Sequence, residues 1–391
     1  MAITSDMFSR CCVEIDLDAL KNNIREIRRV TSPSADVMAV VKADAYGHGA
    51  VIAAKTLLEN GANHLCVATI DEAIELRDAG IDAKILILGF TSTKRFDDVV
   101  KYDIDQAVYS YETAKLLSDA AVKANKNVNV HIKLDTGMGR IGFSTEPDSG
   151  SVEDIVNISK LPNIVTYGVF SHFAVADEND DDYTRAQFER FTSQIEELKK
   201  QGVTFTKRHI CNSAGIMRFP EMHLDMVRAG IILYGLMPPG CPAPVKPINL
   251  IPVMSWYAKV IHEKKVPAGT SISYGRHFKA DASTRVFTVS IGYADGFSRH
   301  LSNGTFELEV CGYRLPIIGN VCMDMCMLDG SKIPEDIKVE PESNVLIFGR
   351  NKSADELASY LGTINYEITC LVGKRVQRIY LEDGKHSVLL S

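Results

Sequence analysis

No stretch of this 391-residue chain reaches 18 apolar residues, so nothing in it reads as a membrane-spanning helix. The N-terminus, MAITSDMFSR, lacks the cationic start and apolar run of a secretory signal. Basic residues are not in excess: 43 Lys and Arg stand against 50 Asp and Glu, a net charge of −7. That argues against a general nucleic-acid binder and leaves room for a local basic pocket. No G-x-G-x-x-G dinucleotide fingerprint follows an early strand, and no P-loop occurs. At the nearest glycine–lysine pair, Gly373 and Lys374, the next residue is Arg375 rather than Ser or Thr. The nine cysteines lack the pattern of a metal or disulfide framework; Cys322 and Cys326 are spaced C-x3-C with no matching pair nearby. Buried reduced thiols in a reducing cytoplasm are therefore expected, with no metal site, no nucleic-acid partner and no membrane.

What is present alternates through the first two-thirds of the chain. Short apolar runs read as buried parallel strands: DVMAVVK, HLCVA, KILIL, DQAVYS, VNVHIKLD, IVTYGVFSH, RHICNS and LDMVRAG. Helical stretches separate most of them. DLDALKNNIREIRRV puts Leu17, Leu20, Ile24 and Ile27 on one face behind a candidate N-cap, Asp16. TIDEAIELRDAG opens with Thr69 and Glu72 in capping-box spacing and stops at Gly80. YTRAQFERFTSQIEELKKQG predicts a stripe of Phe188, Phe191, Ile195 and Leu198. Strand–helix units in this number predict a (β/α)8 TIM barrel over residues 1–240. Five prolines between Met237 and Pro247 then read as a linker. Beyond them the period becomes two, as in TFELEV, and a mostly β C-terminal domain is expected over 241–391.

A barrel enzyme carries its chemistry at the C-terminal ends of its strands. Those ends supply Lys42, Lys133 with Arg140, His172, Asn212 with Ser213, and Arg228 with Gly230. Each alone has an ordinary reading, as a solvated lysine, a satisfied core histidine or a surface ion pair. Together they make a cationic mouth suited to an anion. A lysine amine condenses with a carbonyl when it is neutral, and an apolar strand end favours the neutral form. Backbone N–H groups beside Gly230 and the Ser213 hydroxyl suit a phosphate. An aldehyde, a phosphate and a lysine together suggest pyridoxal phosphate.

Eight ordered motifs, VVKADAYGHGA, DTGMGRIGF, SHFAVAD, CNSAG, MVRAGIILYG, SYGR, GYADG and NVCMDM, resemble the alanine racemase family over nearly the whole chain. The resemblance implies the same barrel followed by a β domain. It implies pyridoxal 5'-phosphate on Lys42, a base for one face of the α-carbon, and Tyr274 from the second subunit of a homodimer as the base for the other. It places His172 and Arg228 in the polar chain that tunes that tyrosine and the cofactor ring, with Arg228 facing the ring nitrogen. Tyr46, Ser213, Gly230 and Ile231 would hold the phosphate, with Asn212 supporting. Arg140 and the Met323 backbone of the partner chain would hold the carboxylate of a small amino-acid substrate. Lys133 matches a lysine that is often carbamylated, Asp177, Tyr293 and Arg299 match the entryway, and Asp324 has a supporting place. The implied reaction interconverts L- and D-alanine and feeds D-alanine to peptidoglycan synthesis. Two positions depart from the family pattern: Lys374 stands where a tyrosine is usual, and Asn320 where an entrance arginine is common. A polar entrance of that kind raises a serine-preferring or broader racemase as the alternative.

Overall fold

The structure is a computed structural model that describes residues 3–388. Its described residues divide into two compact units, residues 20–45 with 49–250 and residues 3–19 with 46–48 and 251–388.

Among the described residues of the first unit, eight parallel strands run in the order Met226–Ala229, Asp36–Val40, His64–Val67, Ile85–Ile87, Asp105–Val108, Val128–Asp135, Ile164–Phe170 and Lys207–His209. The two ends of that order approach each other: Asp225 N donates to Arg208 O at 3.2 Å and Arg228 N to Cys211 O at 3.0 Å. The result is a nearly closed barrel, as the sequence predicts. Seven of the strands fall within the apolar runs, because a strand covered on both faces has no polar side to show, and Lys207–His209 overlaps the start of RHICNS. Asp16 Oδ1 caps the helix Leu17–Val30 by accepting from Ala19 N at 2.8 Å. Thr69 and Glu72 complete the capping box of Ile70–Asp78.

Two details of the barrel unit differ from the sequence reading. The long helix Asp181–Lys200 buries Gln187 rather than Phe188 beside Phe191, Ile195 and Leu198. Gln187 repays its desolvation with bonds to Ala174 N at 2.9 Å and His172 O at 3.1 Å, so it braces the segment that carries His172. The proline-rich stretch is no free linker either: Val245 N donates to Met217 O at 2.9 Å, and Arg29 donates to Pro247 O at 2.6 Å. It straps the barrel as far as residue 250, ten residues past the expected boundary.

The second unit is mostly antiparallel β. The strand Met254–Val266 pairs with Asn344–Phe348 near its start and with Thr284–Val289 near its end, around a register shift between Val260 and His262. Through Glu307–Val310, Tyr313–Ile318 and Cys326–Asp329 the sheet thereby returns on itself. Trp256 fills its core against Phe297 and Phe348, with ring centroids at 6.2 and 5.8 Å. The expectation that residues 1–240 form the barrel is corrected at its start. The strand Cys11–Asp16 pairs antiparallel with Met254–Val266 and parallel with Gln377–Glu382, so the chain begins in the β unit. Local pattern cannot reveal which sheet a short apolar strand joins.

Candidate active site

Lys42 is the first residue of an irregular turn just past the first barrel strand. Ala43, Asp44, Ala45 and Tyr46 all take φ of +53° to +54°, a left-handed turn made of residues with side chains. Such a conformation costs about 1–2 kcal/mol per residue and has to be held. Glu72 holds it at the start: one carboxylate oxygen accepts from Ala43 N at 2.7 Å, the other from Ala68 N at 2.7 Å. Ala45 N donates to Val41 O at 2.9 Å, and the Asp44 carboxylate accepts from Ala50 N at 2.7 Å. Sequence reading found Glu72 only as half of a capping box. Its second task, beside the lysine, has no sequence signal. Past the turn, the Tyr46 ring lies 6.1 Å from that of Tyr366, and a Cβ on Gly47 would fall 2.2 Å from Thr369 O.

Arg228 is buried at the end of the last barrel strand, and its five acceptors are all neutral. Nη1 donates to His209 Nδ1 at 2.8 Å and His209 O at 3.2 Å; Nη2 donates to Ser171 O at 2.7 Å, Ile210 O at 3.0 Å and His172 Nδ1 at 3.1 Å. Phe170 lies beneath, 5.4 Å from the guanidinium carbon. Burial without a carboxylate pulls the guanidinium down to about 10, still cationic at neutral pH. Burial, then the Arg228 charge, pushes His172 well below its ordinary value, so this ring is neutral. Because Nδ1 accepts from the arginine, the proton of His172 sits on Nε2, which remains free to donate.

Lys133 is also buried. Its amine donates to Leu134 O at 2.7 Å and lies 5.5 Å over Phe170. Burial, helped by Arg228, pulls it down to about 7. Arg140 is exposed at the end of the loop after the same strand, where one oxygen of Asp135 accepts from both Gly137 N and Gly139 N at 3.0 Å. Asn212 spends its side chain on capping the helix Ser213–Arg218, accepting from Gly215 N at 3.0 Å. Ser213 Oγ accepts from Gly230 N at 3.1 Å, so its own O–H stays available for an anion, and Ile231 opens the following turn. His172, Arg228 and Lys133 thus gather about Phe170, Ser213 meets Gly230, and the charges of Lys42 and Arg140 bear on His172.

The β unit assembles the others. Tyr274 is 74% exposed on a strained segment: Ser273, Gly275 and Arg276 all have positive φ. Ser273 Oγ approaches Cys322 Sγ at 3.6 Å, next to Met323, which is 53% exposed. Tyr293 N donates to Cys322 O at 3.1 Å and Ala294 N to Met323 O at 3.0 Å. A Cβ on Gly292 would come within 2.4 Å of both carbonyls, so only glycine permits that approach. Asp295, wholly buried, accepts from Arg10 at 2.5 and 2.7 Å and from Arg375 at 2.7 Å; Arg375 also reaches Asp324 at 2.6 Å. Tyr274, Tyr293, Met323 and Asp324 therefore sit on joined segments. Asn320 is a correction. It is only 5% exposed and does not line an entrance of this unit; its Nδ2 donates to Tyr274 O at 2.7 Å, and its Oδ1 accepts from Asn303 at 3.2 Å. An asparagine is short enough to be buried there as a brace. Lys374 is exposed.

A nearly closed parallel barrel and a mostly antiparallel β unit define a two-domain barrel protein. Residues 15–238 match the family model described as alanine racemase, N-terminal domain, and residues 253–380 match alanine racemase, C-terminal domain. The alanine racemase of Clostridium tetani is 48% identical over 375 residues, covering 95% of each chain. That of Methanococcus maripaludis is 47% identical over 372 residues, 94% of this chain and 98% of its own. The solved alanine racemase of Clostridium difficile 630 superposes with a TM-score of 0.93 at 38% identity, over 98% of this chain and 99% of that one. A Bacillus anthracis alanine racemase solved with bound L-Ala-P gives 0.89 at 36% identity, over 98% of both. The chain belongs to the alanine racemase family and is an enzyme of it.

Proposed function

We propose that the enzyme is a pyridoxal-phosphate-dependent racemase that interconverts L- and D-alanine with two bases, Lys42 and Tyr274, as a homodimer that shares its active sites. The carrying observation is Arg228, a buried cation satisfied by five neutral acceptors, next to neutral His172 in the barrel whose first strand leads into Lys42.

The donor set fits the cofactor. Lys42 offers an amine to an aldehyde, while Ser213 and the amides near Gly230 and Ile231, with Tyr46, suit a phosphate. Pyridoxal phosphate bound there would supply an electron sink for the charge left at the α-carbon when its proton departs. Arg228 cannot readily release a proton, so a ring nitrogen facing it would stay unprotonated, which restrains side reactions such as transamination. Arg140 and the Met323 backbone would orient the substrate carboxylate.

Racemisation needs one group to take the α-proton and another to deliver a proton to the opposite face. The Lys42 amine serves one face. Tyr274, exposed on the β unit, serves the other from a second copy of the chain. A tyrosine is a weak neutral base, and a donor such as His172 Nε2–H would stabilise its phenolate. Tyr274, Met323, Tyr293, Leu371 and Met325 are all exposed on the β unit, and exposed apolar side chains of this kind suit burial against a partner. None of the nine cysteines forms a disulfide, which supports a reducing, cytoplasmic setting, and D-alanine made there would feed peptidoglycan synthesis. Among the described residues no helix is long and apolar enough to cross a membrane.

The test is inversion of L-alanine by the purified protein with saturating cofactor; no D-alanine overturns the reading. Tyr274→Phe should lose most turnover, leaving a measurable residue, while the absorbance of the lysine-bound cofactor persists. The alternative, a serine preference, now rests on Lys374 alone, and kcat/KM for alanine against serine decides it.

A further inference from the structure

Three buried polar side chains inside the barrel have no place in the roles above: His209, His131 and Asp105. They form a line that starts at Arg228. Arg228 Nη1 lies 2.8 Å from His209 Nδ1, and His209 Nε2 lies 2.9 Å from His131 Nδ1. His131 Nε2 then faces Asp105 Oδ2 at 3.5 Å, the loosest link. Apart from that carboxylate, His131 Nε2 has no hydrogen-bond partner among the described residues. Asp105 opens its strand and Arg228 nearly closes another, so the line runs through the barrel interior from floor to mouth.

The surroundings hold each ring at a set angle. Phe170 stacks flat on His209, with centroids 5.0 Å apart and planes 3° apart. A Cβ on Gly168 would fall 2.1 Å from His131 Nδ1, so the ring occupies the space a side chain would need. The strand shifts register between Val130 and His131, a bulge that re-aims a side chain. Asp105 is fixed in turn by Asn129, which donates to it at 3.0 Å.

The bonds can run in one direction only. Arginine has no lone pair to offer, so His209 Nδ1 accepts. Burial and the Arg228 charge keep His209 neutral, which leaves its proton on Nε2, pointed at His131. His131 Nδ1 therefore accepts, and its own proton lies on Nε2, toward the carboxylate. Every donor faces away from the cation and toward the anion.

We propose that Asp105, acting through His131 and His209, is a positioning residue that fixes both imidazole tautomers and so holds the Arg228 guanidinium in its working orientation. The proposal rests on the cofactor reading, in which Arg228 faces the ring nitrogen. A carboxylate touching Arg228 would cancel its charge at the mouth. Two interposed imidazoles satisfy the arginine and leave its field available to an anion. Without the carboxylate, the His131 Nε2–H faces no acceptor among the described residues, and Arg228 alone would have to hold both tautomers.

Histidine-labelled nitrogen NMR of the wild-type holoenzyme reads the tautomers directly. Both His209 and His131 should carry the proton on Nε2; a proton on Nδ1 of either ring overturns the proposal, whatever the activity. Asp105→Asn and His131→Leu, checked for folding by thermal melts, should lower kcat about fivefold, the equivalent of one lost hydrogen bond, with KM for alanine within about twofold. The absorbance band of the bound cofactor should shift in both variants. Wild-type kcat and an unshifted band in Asp105→Asn overturn the proposal. If wild-type protein shows neither a cofactor band nor racemisation, it is the proposed function that fails, and the tautomer measurement still judges the chain. If neither variant folds, that measurement alone decides.

Discussion

Replacing Asn320 with alanine should disable Tyr274 without touching the barrel. Asn320 Nδ2 donates to Tyr274 O at 2.7 Å, and its Oδ1 accepts from Asn303 at 3.2 Å. The backbone carbonyl of Asn320 accepts from Ser273 Oγ at 2.6 Å, and alanine would keep that bond. The substitution therefore deletes two part-buried hydrogen bonds whose remaining partners lie on exposed residues, at about 0.5–1.5 kcal/mol each. Against this stands the strain of Ser273 and Arg276, two side-chain-bearing residues at positive φ, worth about 1–2 kcal/mol each. Loss and strain are of the same size, so the segment should relax toward ordinary backbone. Each 1.4 kcal/mol by which the working geometry is disfavoured lowers the rate about tenfold, so kcat should fall about 10- to 100-fold. KM for alanine and the cofactor absorbance should barely change. Asn320→Asp, which sets a carboxylate against the Tyr274 carbonyl, should fall further. A coupled assay for D-alanine, run beside absorbance spectra, measures this. The double variant with Tyr274→Phe adds a sharper criterion: if Asn320 acts only through Tyr274, adding Asn320→Ala to Tyr274→Phe costs nothing more. Wild-type kcat in Asn320→Ala, or additive losses in the double variant, would refute the reasoning.

Acid should weaken the barrel. His172 and His209 are held well below the ordinary 6.5, so below that pH the unfolded chain binds more protons than the native one and stability falls as pH drops. Two such groups give a slope of up to about 2.7 kcal/mol per pH unit, and urea melts at pH 7.5 and 5.5 should show the lower midpoint at pH 5.5. Lys133, pulled down to about 7, is neutral above that pH and able to take up carbon dioxide as a carbamate. With 13C-labelled bicarbonate, a carbamate signal should grow between pH 6 and 8 and vanish in Lys133→Arg; a signal independent of pH contradicts the assignment. Gly168→Ala places a methyl against the His131 ring and should cost about 1–3 kcal/mol by overpacking, read as a lower unfolding midpoint with a loss of kcat. A neutral result there would mean that the ring moves freely.

The sequence by itself determined much of this protein. Eight buried parallel strands announce themselves as apolar runs, because a strand covered on both faces needs no polar side. The capping box at Thr69 and Glu72 and the N-cap at Asp16 are equally local, and each appears where it is expected. The strand-end residues from Lys42 to Arg228 can be named from sequence because a (β/α)8 barrel places its chemistry at one end of its strands. Other features were decided only in three dimensions. The strand Cys11–Asp16 reads like any apolar strand, yet its partners lie at least 239 residues away. Asn320 looks like an altered entrance residue until its amide is seen on the Tyr274 carbonyl. Phe188 fits a helical stripe as well as Gln187, and only the hydrogen bonds offered to Gln187 choose between them. The line from Arg228 to Asp105 joins four strands, with His131 and His209 separated by 78 positions. Sequence pattern reports which way a side chain faces within its own element, because periodicity is a local property. Which side chains meet depends on strand register, on a bulge at His131 and on closure of the barrel, and these are set by the packing of the whole chain.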